Sequence, residues 1–205
     1  QDGSEIHEAT LTMFFLDKAE VKITCLAPKI KQYHTIDHLT GKIQEKESRQ
    51  VLTESARIAR GEIIDLAEAN VESLDGLIFP GGFGAAKNLS DFAFNEADCQ
   101  INKDVESIIQ SMHTAGKPQG FICIAPVLAA RVLGSFHPRL TIGNDQSTAQ
   151  LLEQMGARHI ISKVDEIVYD PDHKIASTPA YMLDPSISKV AVGIERLVQK
   201  ILEVE

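Results

Sequence analysis

Short apolar runs that suit buried strands alternate with amphipathic stretches along almost the whole chain. Strands are predicted over residues 21–26, 63–66, 76–79, 121–122, 140–142, 159–161, 166–169 and 175–177. Helices are predicted over residues 4–18, 51–60, 101–115, 125–132, 148–155 and 187–202. Because parallel strands need a crossover connection that is usually helical, this alternation predicts an α/β fold with a mainly parallel central sheet and helices on both faces.

Length, charge and cysteine content narrow the class of protein. The 205 residues suit a single domain over 1–205, with no internal repeat or linker. The formal net charge of −9 argues against a general binder of nucleic acid or of anionic membranes, and no apolar run is as long as a membrane span. Cys25, Cys99 and Cys123 are odd in number and widely spaced, which indicates reduced thiols in the cytoplasm, or in the mitochondrial matrix of a eukaryote.

The N-terminal residues lead directly into a helix for which Ser4 is a candidate N-cap. A doubly wound sheet normally opens with a central strand that feeds such a helix. We therefore expect a first strand ahead of Gln1, outside this sequence. The polar stretch 30–50, with a turn at Thr40–Gly41, predicts an excursion that holds a short hairpin.

Residues 118–126 read Pro-Gln-Gly-Phe-Ile-Cys-Ile-Ala-Pro and join a short strand to the first turn of a helix. Pro126 suits that first turn, and Gly134 is a candidate end of the helix. Cys123 should therefore lie on a sharp turn at the carboxyl end of a strand, where the positive end of the helix dipole favours the thiolate. This position suits a nucleophile, although a buried structural cysteine fits the same apolar surroundings.

A second chemical signal is the glycine-rich segment that follows the strand at 76–79. Gly81 and Gly82 allow the backbone to approach a ligand closely, and in an open α/β fold this loop shares a crevice with Cys123. The backbone N–H groups of Gly82 and Ile124 could together hold a developing oxyanion. A simple tight turn is the alternative, and the absence of a Gly-Lys-Ser/Thr ending excludes a Walker loop.

With Cys123 on its turn, the segments Phe79–Ser90 and Gly3–Glu8 closely resemble the ThiJ/PfpI superfamily of class I glutamine amidotransferase-like proteins. Within it, the chain resembles the enhancing-lycopene-biosynthesis (ElbB) clade, which is glyoxalase-like. Stretches 51–61 and 178–182 carry the likeness over nearly the whole chain. The resemblance implies a flavodoxin-like three-layer sandwich, a reactive cysteine on the turn after a strand, and a homodimer.

Carried over residue by residue, the resemblance implies that Cys123 is the nucleophile and that Glu8 is the glutamate in contact with it. Glu5, three residues earlier on the same helix face, is the rival carboxylate. A neutral, buried glutamate that donates a hydrogen bond to the sulfur would favour the thiolate. Without the resemblance, both acids would be interpreted as favourable charges at a helix start.

The chain also departs from well-known branches of the superfamily. Ile124 stands where PfpI-type peptidases have a histidine, and residues 140–145 lack the histidine that other members bring from the next strand. These departures argue against both peptidase and amidotransferase activity. They leave His7 as the histidine nearest to the crevice. His34 and His38 share a loop but lack a third metal ligand at a recognised spacing, so we expect them to be solvated and expect no metal or other cofactor.

The predicted function is therefore a glyoxalase-like conversion of small reactive aldehydes, such as glyoxal, to hydroxy acids. In this hypothesis Cys123 adds to the aldehyde carbon, Glu8 moves the proton, and the N–H groups of Gly82 and Ile124 stabilise the oxygen. The alternative is a redox-responsive binding or chaperone-like protein in which Cys123 is oxidised to a sulfinic acid. A partner role in isoprenoid biosynthesis has only the name of the clade behind it.

Overall fold

The computed structural model describes residues 1–184 and 186–204. Its α-helices are α1 (Ile6–Lys18), α2 (Val51–Ile58), α3 (Phe83–Lys87), α4 (Phe92–Asn95), α5 (Lys103–Thr114), α6 (Pro126–Leu133), α7 (Gln146–Gln154) and α8 (Ile187–Glu203). Its strands are β1 (Cys25–Ala27), β2 (Ile36–Asp37), β3 (Lys42–Ile43), β4 (Ile63–Asp65), β5 (Leu77–Phe79), β6 (Gln119–Ile122), β7 (Arg139–Leu140), β8 (Arg158–His159), β9 (Val168–Asp170) and β10 (Ile175–Thr178).

The main sheet has the strand order β5-β6-β10-β9. Strands β5, β6 and β10 are parallel, and β9 pairs antiparallel with β10 at the edge. Strands β1 and β4 form a separate parallel pair, as do β7 and β8, while β2 and β3 form the hairpin expected in the polar excursion. The predicted α/β alternation with mostly parallel strands is confirmed.

Two hydrophobic clusters cover the two faces of the main sheet, because neighbouring residues of a strand point to opposite faces. Phe121 belongs to the cluster formed with α5 and α6, and its ring stacks on Phe79 of β5 with centroids 5.3 Å apart. The next residue, Ile122, belongs to the cluster formed with α8, against which Leu11 and Phe15 of α1 also pack. The carboxyl end of β6 is therefore fixed from both sides.

Local details differ from the sequence predictions. Glu5, not Ser4, is the N-cap of α1. Gly134 is the C-cap of α6, as predicted, although in a right-handed conformation; the chain continues into a 3₁₀ turn, and His137 takes the left-handed position. The short helices α3 and α4 were not predicted, since Gly- and Asn-rich sequence resembles a loop.

Strands β1 and β4 pair with no strand of the main sheet in the described part of the chain. The first strand expected ahead of Gln1 stays a prediction.

Candidate functional site around Cys123

Cys123 occupies a strained turn immediately after β6, as the sequence predicts. Its φ is +62°, a left-handed conformation that costs a residue with a side chain about 1 kcal/mol or more. Its N–H donates to the carbonyl oxygen of Thr178 at 2.9 Å, which ties the turn to the end of β10. The thiol is 7% exposed. The backbone therefore holds the sulfur at one place, at the carboxyl end of the sheet.

Glu8 is the carboxyl group that meets this sulfur. It is fully buried, it contacts the Cys123 thiol, and its Oε2 accepts from the N–H of Gly81 at 2.9 Å. The backbone N–H of Tyr181 also points at this carboxyl group, whereas Oε1 is buried without a well-aligned partner among the described residues. Glu5 serves the helix instead: its Oε2 accepts the N–H of Glu8 at 2.7 Å.

The glycine loop after β5 needs glycine because two segments press against it. A Cβ at Gly81 would lie 2.6 Å from the Cβ of Cys123, and a Cβ at Gly82 would lie 2.4 Å from the backbone nitrogen of Glu5. Gly82 also has a φ of +90°. This close approach places the N–H of Gly82 at the sulfur of Cys123, where the N–H of Ile124 joins it. The four residues predicted for the site, Cys123, Glu8, Gly82 and Ile124, are thus brought together.

Burial dominates the acidity of both groups. The pKa of Glu8 is raised to about 7, first by burial and then by the charge of Glu5, against hydrogen bonds from Gly81, Cys123 and Tyr181. The pKa of the Cys123 thiol is also raised, first by burial and then by the charge of Glu8. The N–H groups of Gly82 and Ile124 act in the opposite direction without reversing the shift.

The expectation that the helix dipole makes Cys123 a ready thiolate is therefore wrong. A helix N-terminus contributes about 0.3–1 kcal/mol, which is less than one pKa unit, whereas burial moves the pKa of an ionisable group by up to several units. The protein keeps Cys123 as a thiol beside a carboxyl group that ionises near pH 7. The two groups titrate as a pair, and the arrangement suits a proton transfer from sulfur to Glu8 as the sulfur attacks.

Histidine takes no part in the innermost contacts. In the described part of the chain, no histidine forms a hydrogen bond with Cys123 or Glu8. His7 lies at the surface, and its Nδ1 is 2.8 Å from the hydroxyl oxygen of Tyr181. Sequence reasoning missed Tyr181 as a site residue. The available signal was stretch 178–182, which resembles the family but carries no recognised catalytic pattern.

Of the two loop histidines, His34 is half-buried, contrary to the expectation, whereas the His38 side chain is 57% exposed, as expected. His34 stacks edge-on against Tyr33 and Phe94, with its Nδ1 buried, and Nε2 of His38 lies 3.3 Å from the Asp2 carboxylate. Among the described residues, no cluster of three or more His, Cys, Asp or Glu side chains could hold a metal ion.

Two cavities lie away from Cys123. They have volumes of about 470 and 480 Å³ and adjoin the segment 161–166, and neither is lined by Cys123, Glu8, Gly82 or Ile124. The case for a site at Cys123 therefore rests on its chemistry and not on cavity size.

Comparison with known proteins places the chain in a family. It is 45% identical over 211 residues to the human glutamine amidotransferase-like class 1 domain-containing protein 3, mitochondrial, covering 98% of this chain and 78% of that protein. It is 44% identical to the rat ES1 protein homolog, mitochondrial, over 98% of this chain and 79% of that protein. The chain belongs to the class I glutamine amidotransferase-like family. No model in a scan of protein families matches it.

Solved structures confirm the fold of this family member. An isoprenoid biosynthesis protein with an amidotransferase-like domain from Ehrlichia chaffeensis is 35% identical, with a TM-score of 0.92 over 100% of this chain and 93% of that one. Drosophila melanogaster DJ-1beta, at 17% identity and a TM-score of 0.55 over 99% and 90% of the two chains, shares the fold alone. The flavodoxin-like three-layer sandwich and the ThiJ/PfpI resemblance are both confirmed.

Proposed function

We propose that the chain is a cofactor-independent cysteine enzyme that converts small reactive aldehydes, such as glyoxal, to hydroxy acids. The observation that carries the proposal is the buried contact between the Cys123 thiol and the Glu8 carboxyl group, whose pKa of about 7 lets it accept and return a proton at neutral pH. The residues of the site supply the nucleophile, the base and two N–H donors.

The first step is addition of sulfur to the aldehyde. The Cys123 thiol gives its proton to ionised Glu8 while a bond forms between sulfur and one carbonyl carbon of glyoxal. The carbonyl electron pair moves to oxygen, which the N–H groups of Gly82 and Ile124 stabilise before Glu8 returns the proton. The product is a hemithioacetal at Cys123. The base is needed because the thiol, with its raised pKa, does not ionise on its own at neutral pH.

The second step is an internal oxidation and reduction that needs no external electron acceptor. Glu8 removes the hydrogen of the sulfur-bound carbon as a proton, and the electron pair moves toward the neighbouring carbonyl to give an enediolate. Glu8 returns this proton to the neighbouring carbon, and the hydroxyl group of the sulfur-bound carbon passes its proton to the enediolate oxygen. The result is a hydroxyacyl thioester, in which the sulfur-bound carbon is oxidised and its neighbour is reduced. Water then hydrolyses the thioester, which releases glycolate and restores the thiol.

Substitution of Glu8 tests this mechanism. Glu8→Gln keeps a polar side chain of the same shape but cannot accept a proton, so glyoxal turnover should fall by about 10²–10⁴-fold. Cys123→Ser should abolish turnover. Glu5→Gln is the matched control on the same helix start. It should lose much less turnover, because the Glu5 side chain caps α1 and does not contact the sulfur. Near-normal turnover in Glu8→Gln, or an equal loss in Glu5→Gln, would refute the assignment of the base.

The redox-responsive alternative has one observation in its favour. The N–H groups of Gly82 and Ile124 converge on the Cys123 sulfur, where they could bind the oxygens of a sulfinate. Intact-mass measurement after limited peroxide treatment would show a gain of two oxygen atoms at Cys123 under this alternative.

The remaining parts of the proposal concern partners and location. We propose a small neutral aldehyde as the substrate and a homodimer as the assembly. No helix in the described ranges combines the length and apolar character needed to cross a bilayer. We propose the cytoplasm or a mitochondrial matrix as the compartment, since the human and rat relatives are named as mitochondrial. A link to isoprenoid biosynthesis would follow the name of the Ehrlichia chaffeensis protein.

A further inference from the structure

A second polar pair, His7 and Tyr181, lies beside the Cys123 site and has no part in the chemistry described above. Nδ1 of His7 is 2.8 Å from the hydroxyl oxygen of Tyr181, and their rings are 5.8 Å apart at 48°. The pair joins two elements distant in sequence: helix α1 and the 3₁₀ turn Ala180–Met182 after β10. The His7 side chain is 52% exposed. The pair therefore stands between the buried site and solvent.

Both members of the pair are fixed to the catalytic groups. His7 directly precedes Glu8 on α1, and the backbone N–H of Tyr181 points at the Glu8 carboxyl group. The Tyr181 side chain packs against the buried cluster that contains Cys123 and Ala180. A shift of either element would therefore disturb the Glu8–Cys123 contact as well.

The turn that carries Tyr181 is strained in the same way as the turn that carries Cys123. Ala180 is 1% exposed and has a φ of +42°, an unfavourable conformation for a residue with a Cβ. Its strand, β10, is the hydrogen-bonded neighbour of β6, and Thr178 stands opposite Ile122 in their register. Two adjacent strands are thus each followed within two residues by a left-handed residue, and such strain is typical of residues held in place for function.

The charges around the pair determine which group can donate. Oε1 of Glu5 lies 3.8 Å from Nδ1 of His7, which favours the imidazole tautomer with its hydrogen on Nδ1. In that tautomer the Nδ1–H donates to the Tyr181 oxygen and leaves the phenolic hydrogen free for a ligand; in the other tautomer the phenol would donate to Nδ1. Burial and the charges of Glu5 and Glu8 raise the pKa of Tyr181, so the phenol keeps its hydrogen.

We propose that the Tyr181 hydroxyl group, oriented by His7, is a subsite that donates a hydrogen bond to the second oxygen of a dicarbonyl substrate bound at Cys123. This inference rests on the proposed function and names its substrate class: aldehydes with an oxygen on the adjacent carbon. Glu5 and Glu8 disfavour an anionic ligand here, so the subsite suits a neutral carbonyl or hydroxyl oxygen and helps an acidic product to leave.

The test uses ligands that do not need to react. Glycolamide and acetamide differ only in a hydroxyl group on the carbon next to the carbonyl, and each can compete with iodoacetamide for access to Cys123. Mass spectrometry measures the labelling of Cys123 against competitor concentration. In the wild-type protein glycolamide should protect at a concentration about 3- to 10-fold lower than acetamide, the factor expected for one hydrogen bond. Tyr181→Phe should abolish this advantage when protection in each protein is measured relative to its own labelling rate without competitor.

Matched variants separate the subsite from general damage. Tyr33→Phe removes the hydroxyl of another tyrosine that contacts a histidine, away from the site, and should keep the advantage of glycolamide. His7→Asn retains an N–H donor in place of Nδ1 and should keep most of the advantage of glycolamide, whereas His7→Leu should lose this advantage. Equal protection by the two amides in the wild type, or an unchanged advantage in Tyr181→Phe, would overturn the subsite.

Glyoxal kinetics distinguish failure of the subsite from failure of the proposed function. Tyr181→Phe should raise the KM for glyoxal about 3- to 10-fold. If the wild type does not turn over glyoxal but Tyr181 still controls the glycolamide advantage, the proposed reaction fails and the subsite stands. If the wild type turns over glyoxal and Tyr181→Phe matches it in both assays, the subsite fails and the reaction stands.

Discussion

The buried carboxyl group of Glu8 should make stability depend on pH in the direction opposite to that of an ion-paired carboxylate. Its pKa is raised from 4.5 to about 7, chiefly by burial. The native protein therefore keeps this proton at pH values where the unfolded chain has lost it. The Glu8 contribution to the free energy of unfolding is fully present below pH 4.5 and is lost as the pH rises through about 7.

The size of this contribution follows from the two pKa values. At about 1.4 kcal/mol per pKa unit, the interval from 4.5 to about 7 corresponds to about 3 kcal/mol. Glu8→Gln has nearly the same shape, still offers an oxygen to the N–H of Gly81, and does not ionise. Relative to the wild type, the variant should therefore gain about 3 kcal/mol of stability between acid pH and a pH above 7.

Urea unfolding across this pH range measures the difference between the two proteins. Asp170→Asn is the control, because the pKa of Asp170 is shifted in the opposite direction. Burial alone would raise this pKa, but hydrogen bonds from the N–H and guanidinium group of Arg139, at 2.7 and 3.3 Å, outweigh burial and lower it. As the pH rises through the acid range, the wild type should become more stable relative to Asp170→Asn, whereas it becomes less stable relative to Glu8→Gln. A difference between Glu8→Gln and the wild type that does not change with pH would refute the account of Glu8.

Two further predictions concern the same site. Alkylation of Cys123 by iodoacetamide should accelerate as the pH rises through about 7, since ionised Glu8 can then accept the thiol proton, and this acceleration should vanish in Glu8→Gln. Fully buried Cys99 should stay unlabelled in the native protein. Preferential labelling of Cys99 in a peptide map would contradict the assignment of Cys123 as the reactive thiol. Gly82→Ala should lower the urea midpoint more than Gly61→Ala. Both glycines have nearly the same φ, +90° and +89°, but only a Cβ at Gly82 would meet a backbone atom, 2.4 Å away. Equal urea midpoints for the two variants would refute this steric argument.

The sequence predicts most of the fold because its signals are local. The periodicity of residues 51–60 and 187–202 indicates helices that the structure places at Val51–Ile58 and Ile187–Glu203. The turn at Cys123 is likewise predictable, since an apolar strand and Pro126 flank it at short range. The short helix Phe83–Lys87 was missed because five residues carry too little periodicity to separate a helix from a loop.

The acidity of the site was not predictable in the same way, because it depends on groups brought together from four separate parts of the chain. Glu8 receives hydrogen bonds from Gly81 and Tyr181 and contacts Cys123, and none of these partners is near it in sequence. The sequence placed a helix start beside Cys123 but not the extent to which the sulfur would be buried. Burial, which only the fold determines, therefore outweighs the helix dipole, which the sequence predicts.

The same contacts explain why strain and buried charge occur together here. A left-handed Cys123 and a left-handed Ala180 follow two neighbouring strands, and the fully buried Glu8 of α1 meets Cys123 with one oxygen unpartnered among the described residues; all three features lower stability. The hydrogen bonds from Cys123 N–H to Thr178 and from Glu5 N–H to Gly81, at 2.9 and 3.0 Å, hold this region in place. A fold that only needed to be stable would have relaxed these positions, so their retention around one thiol argues that the thiol and its carboxyl partner are the working part of the molecule.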